Sequence, residues 1–242
     1  MKKVVFSILL LAMSLTAYSA GSVGRMNNLI NADNRLYHFG FILGLNMMDF
    51  NPTNAAVVYQ KSPDAEEEIW FGEDVRMSPG FTVGIISDLR IFSWLNLRFC
   101  PQLYFNERCL QFRDSEGNIS PKGDFSIQSN IMEFPLDLKI RGQRKNNYRP
   151  YLLAGVAMTL DMGRDAEAPI MLKQIDYGVE FGLGCDFYLP YFKLAPEFKI
   201  YLGLGDVLER DRPEIADYTD LKYTNTLSKL TSRLFILSFN FE

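Results

Sequence analysis

The chain has 242 residues, of which 48% are hydrophobic and 22% charged, and its formal net charge is -4 at pH 7. This length fits one β-barrel with loops or one larger soluble domain, and the mild acidity argues against nucleic-acid binding. The three cysteines are odd in number and lack close spacing, so they indicate neither a disulfide framework nor a zinc site. We therefore expect no metal and no cofactor.

The start of the chain is predicted to be a secretory signal peptide over residues 1–19. Two lysines precede an apolar run at residues 4–15, and small residues follow up to Ser19. This run is too short to span a membrane as a helix, which argues against an N-terminal membrane anchor. The next segment, residues 20–37, is polar and rich in asparagine, and we expect a mobile periplasmic lead-in to a barrel over residues 38–242.

Eight later segments alternate between apolar residues and polar or glycine residues, as β-strands with one apolar face do. They are residues 38–50, 79–87, 94–112, 129–140, 151–160, 175–184, 192–203 and 233–242. A strand of about 9 to 11 residues is long enough to cross the hydrocarbon of a membrane. The third segment contains Pro101, which lacks an N–H donor for the ladder, so an irregularity is predicted there.

The connections between these segments alternate between long and short along the chain. The long ones are residues 51–77, 113–125, 161–173 and 205–229, and the short ones lie at residues 88–93, 141–148 and 188–191. Outer-membrane barrels have short periplasmic turns, longer extracellular loops and an even number of strands, starting at about eight. The sequence therefore predicts an all-β fold, an eight-stranded antiparallel transmembrane β-barrel with both termini in the periplasm.

The distribution of glycine indicates which face of the sheet points outward. Eight glycines lie opposite the bulky apolar residues, namely Gly40, Gly44, Gly84, Gly155, Gly178, Gly182, Gly184 and Gly203. A narrow barrel needs room inside, so we expect the apolar face to contact lipid. A soluble barrel with an apolar interior is the alternative, because it shows the same alternation. Six aromatic residues near the turns fit an interfacial girdle, namely Trp94, Tyr148, Tyr151, Tyr188, Tyr191 and Phe192.

Charged residues on the glycine face would then lie in the lumen of the barrel. They are Arg98, Glu133, Asp137, Lys139, Asp176, Glu180, Lys193, Glu197 and Lys199. Buried charge is costly unless it is paired, so we expect a structural network that fills the lumen. A proton or ion path is the functional alternative.

The sequence shows no catalytic motif. Its single histidine, His38, lies at the start of the first strand without a Ser or Asp motif beside it, so we expect an interface residue and no enzyme. The turn after the fourth strand carries Arg141, Arg144, Lys145 and Arg149 and no acidic residue. This turn is either simply solvated or a contact for anionic headgroups or an acidic periplasmic partner.

Three segments give a family resemblance. They read His38-Phe-Gly-Phe-Ile-Leu-Gly-Leu-Asn46, Glu133-Phe-Pro-Leu-Asp-Leu-Lys139 and Asn146-Asn-Tyr-Arg-Pro-Tyr-Leu-Leu-Ala-Gly155. The chain resembles the outer-membrane barrel family called PorT over nearly its whole mature length. This resemblance implies a component of the type IX secretion machinery, needed for export or maturation of proteins with a C-terminal sorting domain. It brings no catalytic residues, and Glu242 departs from the aromatic last residue that barrels commonly have.

We accordingly expect a non-enzymatic protein of the outer membrane that contacts lipid and other secretion-system proteins. We expect no nucleic acid and no small-molecule substrate as partners. A general outer-membrane barrel that binds a ligand or a surface partner, unrelated to secretion, is the alternative, because the fold permits both. A barrel enzyme would need a rim cluster of His, Ser and Asp that the sequence does not show.

Overall fold

The computed structural model describes residues 28–55, 58–59, 68–114, 119–163, 171–209 and 226–242. The predicted signal peptide and parts of the four long connections lie outside these residues. A short 3-10 helix, Ala32–Asn34, precedes eleven strands in the described residues. The strands are β1 Tyr37–Asn54, β2 Val58–Tyr59, β3 Glu68–Met77, β4 Pro79–Arg90, β5 Leu95–Phe99, β6 Gln102–Asp114, β7 Ile119–Arg141, β8 Tyr148–Asp161, β9 Ile175–Tyr188, β10 Lys193–Gly203 and β11 Leu227–Phe241.

Antiparallel pairing closes these strands into a barrel. β1 pairs with β4 on one side and with β11 on the other, and β11 is followed around the wall by β10, β9, β8 and β7. β5 and β6 both lie between β4 and β7, as two halves of one wall position that is interrupted at Cys100 and Pro101. The wall therefore has eight positions, which confirms the predicted barrel, and the break confirms the predicted irregularity at Pro101.

The two ends of the barrel differ. The short turns at residues 91–94, 142–147 and 189–192 lie together with the start of β1 and with Glu242, which pairs through its backbone with Lys193. We call this end the turn end. The opposite end carries the longer connections, and we call it the loop end.

The strands have the burial pattern of a barrel that stands in lipid. Phe41, Leu43 and Leu138 are 51%, 47% and 44% exposed on the outer face, whereas Glu133 and Lys139 are completely buried on the inner face. A soluble barrel would bury the first set and expose the second, because apolar side chains leave water and charged ones seek it. The expectation that the apolar face points outward is confirmed.

Glycine gives room to tyrosine rings inside the lumen. The buried rings of Tyr151 and Tyr201 lie against Gly184 and Gly178, at positions where a Cβ atom would overlap them. These two glycines are therefore required by the close approach of a ring to the backbone.

The predicted aromatic girdle is partly wrong. Tyr151 and Tyr188 are buried inside the barrel, where their hydroxyl groups donate hydrogen bonds to Glu197 and Asp33, each over 2.7 Å. A buried tyrosine hydroxyl needs such a partner, and these two find one carboxylate in the lumen and one in the N-terminal segment. The other four residues are exposed near the turn end, namely Trp94, Tyr148, Tyr191 and Phe192.

Strand structure continues past the barrel at the loop end. The β6–β7 pairing extends as far as Arg113 and Ile119, and β3 pairs along the outer part of β6. The prediction of a loop over residues 113–125 is therefore wrong at residues 113–114 and 119–125, and residues 115–118 lie outside the described residues. Hydrogen bonds between the strands maintain this extension, in a stretch where the sequence shows no alternation of polarity.

A hydrophobic core closes the loop end of the lumen. Its buried members are Phe50, Leu110, Phe112, Leu172, Val207, Leu208, Leu227 and Leu230. Leu172 and Leu208, which belong to two different connections, form a β-bridge with each other, and Asp206 accepts the backbone N–H groups of Leu208 and Leu230. Full burial of such a side chain contributes about 1.5–3 kcal/mol, so this core fixes the described parts of the connections over the barrel.

Candidate functional site

The nine charged residues predicted for the lumen are all buried there. Their relative exposures run from 0% at Glu133 to 7% at Asp176. Eight of them lie in one central layer of charge, and Asp176 lies apart, toward the loop end. The layer has three cationic centres, Arg98, the Lys139–Lys193 pair and Lys199.

Arg98, on β5, connects side chains from two other strands and from the last residue of the chain. Its Nη1 donates to Glu197 Oε2 over 2.8 Å, and its Nη2 donates to Glu242 Oε1 over 3.2 Å. The Nε atom lies 3.5 Å from Asp88 Oδ2. Arg98 therefore links the turn-end part of β4, the start of β10 and the last residue of the chain across the lumen.

Lys139 and Lys193 share a carboxylate. Lys139 Nζ lies 2.9 Å from Asp186 Oδ1 and 3.9 Å from the centre of the Tyr151 ring, so it has both an ion pair and a cation–π contact. Lys193 Nζ lies 3.8 Å from Asp186 Oδ2 and also pairs with Glu242. Glu242 thus joins this group to Arg98.

Lys199 is the cation of the third group. Its Nζ lies 3.0 Å from Glu180 Oε2 and 3.6 Å from Glu133 Oε2, and Tyr104 donates its hydroxyl hydrogen bond to Glu133. Asp137 is buried beside this group, and its Oδ1 atom accepts no hydrogen bond from the described residues. Three carboxyl groups therefore surround one ammonium group.

Acidic side chains outnumber basic ones in this layer. The acidic residues are Asp88, Glu133, Asp137, Glu180, Asp186, Glu197 and Glu242, and the basic ones are Arg98, Lys139, Lys193 and Lys199. The layer fills the lumen as the sequence predicts, and it holds seven acidic side chains and four basic ones.

Sequence reasoning missed three members of the layer, Asp88, Asp186 and Glu242. Asp186 has the same parity along its strand as Glu180, so a longer predicted strand would have included it. Asp88 likewise has the parity of Gly84, but the strand was predicted to end one residue earlier. Glu242 follows the last strand directly, and its pairing with Lys193 places it inside the barrel.

The lumen narrows toward the loop end. Asp176 accepts hydrogen bonds from the Tyr201 hydroxyl and the Gly205 N–H group, each over 3.2 Å. Arg108 pairs with Asp161 over 3.2 Å. The cavity between these groups measures about 20 Å³, enough for about one water molecule, before the hydrophobic core begins.

A second cluster lies at the turn end and holds a residue from the N-terminal segment. The Asp33 carboxylate lies 3.3 Å from Arg149, 3.4 Å from Arg144 and 3.5 Å from Arg141, and it accepts the Tyr188 hydroxyl over 2.7 Å. We call Arg141, Arg144, Arg149 and Tyr188 the turn-end arginine site. Burial opposes ionisation of Asp33, but the Tyr188 hydrogen bond and the three arginine charges lower the pKa of its carboxyl group below the ordinary 3.8.

The N-terminal segment makes further contacts with the rim. Asn28 donates its backbone N–H to Asn147 Oδ1 over 2.9 Å, and its side-chain amide donates to the Tyr188 carbonyl over 3.0 Å. His38 Nε2 lies 2.7 Å from the Ala32 carbonyl oxygen and holds the 3-10 helix against β1. The expectation of a mobile lead-in is therefore wrong for residues 28–36, which dock on the turn end.

These contacts correct the interpretation of the basic turn. Arg141, Arg144 and Arg149 do not stand in solvent, since their side chains are 2%, 17% and 11% exposed and share Asp33. The turn itself has no acidic residue, and the carboxylate that pairs with its arginines is that of Asp33, 111 positions before Arg144. Lys145 is exposed, so an external partner reaches the three arginines only if Asp33 withdraws.

Two clefts flank the docked segment. One, of about 490 Å³, lies between residues 29–32, the turn around Tyr191 and the side chains of Lys193 and Glu242. The other, of about 340 Å³, lies between Asn28, residues 146–148 and residues 187–189. In the part of the chain that the structure describes, no group of three or more His, Cys, Asp or Glu side chains is arranged to hold a metal ion. None of the helices found there has the length and apolar character needed to cross a membrane.

A family model described as "Outer membrane protein beta-barrel domain" matches residues 31–209, more than half of the chain. The chain belongs to this outer-membrane β-barrel family. The barrel is therefore a protein of the outer membrane, as predicted, while the direction in which its ends face stays a prediction. No curated protein matches the barrel in sequence.

Solved structures with a similar arrangement of strands have low sequence identity to this outer-membrane barrel. Neisserial surface protein A is 12% identical, with 84% of this chain and 97% of that chain covered and a TM-score of 0.42. OprG from Pseudomonas aeruginosa is 12% identical, with 84% and 93% covered and a TM-score of 0.42. AlkL, solved in DMPC lipid bilayers, is 13% identical, with 93% of each chain covered and a TM-score of 0.39.

Proposed function

We propose that this outer-membrane barrel is a non-enzymatic component of the type IX secretion machinery. It serves export or maturation of cargo with C-terminal sorting domains, and it acts through its end surfaces and not through its lumen. Its outer wall contacts membrane lipid. Its turn end faces the periplasm and meets other proteins of the machinery.

The lumen is filled along the described part of the barrel, and this observation carries the proposal. From the turn end, a molecule entering the barrel would meet the docked segment, then the layer of buried charge, and then the buried rings of Tyr104 and Tyr201. The hydrophobic core lies beyond them. A barrel of about eight strands is just wide enough for its own side chains, so these layers favour assembly or binding over transport.

The family resemblance supports an action at the turn end. Two of the three segments that resemble PorT carry residues that build this end, namely His38, Asn147 and Arg149. Tyr151, from the same hairpin segment, reaches Glu197 in the layer just above. The most family-like residues thus position the N-terminal segment.

Deletion of the gene tests the proposal. Loss of secreted sorting-domain cargo, restored by the wild-type gene, is the expected result, and normal secretion in the deletion strain would contradict it. Lys145 at the turn end and Lys229 at the loop end are both exposed, so they give matched charge reversals. Complementation with Lys145→Glu should restore secretion less well than complementation with Lys229→Glu, because the proposed contacts lie at the turn end. Immunoblots of the outer membrane must show equal amounts of each variant.

One observation favours a second function, binding of a ligand or surface partner at the loop end. The outer parts of β6 and β7, with β3 beside them, form a platform that extends past the barrel. Shortening the β6–β7 hairpin should abolish a surface-binding function and leave cargo secretion intact. A secretion defect in that variant would instead place an essential contact at the loop end.

The non-enzymatic part of the proposal rests on His38. Its Nε2 atom is hydrogen-bonded to a backbone carbonyl, so its geometry is that of a structural contact and not of a general base for a nucleophile. His38→Gln, which lacks the imidazole but keeps a side-chain donor for the Ala32 carbonyl, should leave the deletion phenotype complemented. Loss of complementation by this variant, together with a normally docked N-terminal segment, would indicate a catalytic role.

A further inference from the structure

We propose that the turn-end arginine site is a receptor for an acidic peptide segment of a partner protein, and that residues 28–36 are its built-in, exchangeable occupant. The inference goes beyond the secretion proposal and does not depend on it. It concerns which chemistry the site recognises, whatever process the barrel serves.

The site has three positively charged arginine side chains, whereas the docked segment offers them one carboxylate. Arg141, Arg144 and Arg149 converge on one carboxylate, that of Asp33. The Nε atom of Arg141 is buried and donates to no acceptor among the described residues. A guanidinium group prefers paired carboxylate oxygens, so a peptide with two neighbouring acidic residues would match the site better than the single Asp33 does.

The docked segment is held mainly by polar contacts, with Leu29 as its one large apolar side chain that is partly buried. None of the residues of its 3-10 helix is buried, and its apolar side chains Ile30 and Leu36 are 72% and 56% exposed. The main driving force for stable docking, burial of apolar surface, is therefore small. Individual hydrogen bonds contribute little net free energy in water, so a better-matched peptide can displace the segment.

The contacts of the site are those of a peptide receptor. Asn147 accepts the backbone N–H of Asn28 over 2.9 Å, and Arg144 Nη1 donates to the Leu29 carbonyl oxygen over 3.3 Å. These are backbone groups that any peptide offers. The two clefts beside the segment, of about 490 and 340 Å³, give side chains of another sequence room to fit.

Membrane lipid does not fit the same site. Arg141 and Arg149 have the inward parity of their strands, and their side chains are 2% and 11% exposed beneath the segment. Lipid headgroups contact the outer face of a barrel wall. An acidic peptide entering from the turn end can reach these arginines, whereas a headgroup beside the wall cannot.

The test uses full-length protein in zwitterionic nanodiscs and a fluorescein-labelled peptide with the sequence of residues 28–36. Asp33→Asn in the protein weakens the built-in occupant, so this variant should bind the probe at least about tenfold more tightly than wild type. A probe in which the aspartate is replaced by asparagine should lose this gain, and a probe with a second aspartate at the position of Asn34 should bind more tightly. Fluorescence anisotropy measures each affinity.

Two further variants distinguish the arginine site from general attraction between the basic turn and the aspartate of the probe. Arg144→Gln added to Asp33→Asn should abolish the gain, whereas Lys145→Gln, at the exposed neighbouring position, should preserve it. Heat-dependent gel mobility verifies that each barrel is folded. Equal probe affinity of wild type and Asp33→Asn would overturn the proposal, and so would displacement of the probe by inorganic phosphate or by anionic nanodisc lipid as effectively as by unlabelled peptide.

Discussion

Replacement of Arg98 by methionine removes the charge at the centre of the lumen while keeping much of the side-chain volume. Arg98 is fully buried and pairs with Glu197, Glu242 and Asp88. Glu242 keeps a second cation in Lys193. Glu197 and Asp88 lose the one ion pair that each of them has within the described residues.

The expected loss is about 3–5 kcal/mol of unfolding free energy, which is the cost of removing one partner of a buried ion pair. An exposed ion pair is worth only about 0–1 kcal/mol, so the measurement separates a buried network from a solvated one.

Reversible urea unfolding in lipid vesicles, followed by tryptophan fluorescence, measures this loss. The double variant Arg98→Met/Glu197→Gln should recover part of the stability, because it removes a carboxylate that the single change leaves unpaired. Leu138→Met on the outer face is the control and should change stability little. A single variant within about 1 kcal/mol of wild type would refute the reasoning, because that is the range of solvated pairs.

Three further predictions concern the two ends of the barrel and its lumen. Docking of residues 28–36 should persist from neutral pH to about pH 4 and weaken as the pH falls further. The pKa of the Asp33 carboxyl group is lowered in the docked state, so docking is strengthened only while this group is ionised. Hydrogen exchange of the segment measures docking, and release between pH 7 and pH 5 would contradict the prediction. Leu230→Ala should lower the free energy of unfolding by about 2–5 kcal/mol, because it opens a cavity in the loop-end core. Leu237→Ala, on the outer face, should lower it less in the same unfolding assay, and equal losses would argue against that core. Wild-type protein in a planar bilayer should show no stepwise conductance, since its lumen is filled, and regular open steps would disprove a filled lumen.

Alternation of polarity along the strands predicted the barrel. In a closed barrel in lipid, every strand has one face toward the lipid and one toward the lumen, so the alternation is visible in the local sequence. Residues 132–140 of β7 alternate cleanly, and the structure places their apolar members outside and Glu133, Asp137 and Lys139 inside. The outer part of β7, from Ile119 onward, was not predicted. It lies beyond the lumen and the lipid, so nothing there requires one face to differ from the other, and pairing with β6 alone determines its structure.

The sequence identified the basic residues of the turn-end arginine site but not the acidic residue that pairs with them. Four basic residues in a short turn without an acidic residue indicated either a solvated turn or a contact for anionic headgroups or an acidic periplasmic partner. The acidic residue that pairs with the arginines, Asp33, lies in a segment with no periodicity, 111 positions before Arg144, and no local pattern links the two. Contacts of this kind follow from the closure of the barrel, which brings the start of β1 beside the β7–β8 and β9–β10 turns.

Parity and diameter explain why membership of the charge layer was predictable and its pairing was not. Inward parity assigns a residue to the lumen wherever it lies in the chain, so Arg98 and Glu197 were both identified. Their direct contact depends on the barrel being narrow enough for β5 to reach β10 across it, which follows from the eight wall positions. Asp88 was missed because its strand was predicted to end one residue too early, and Glu242 was missed because it follows the last strand. Both carboxylates pair directly with Arg98. A boundary error that is harmless for the fold therefore removes two carboxyl groups from the predicted layer, together with their pairs to Arg98.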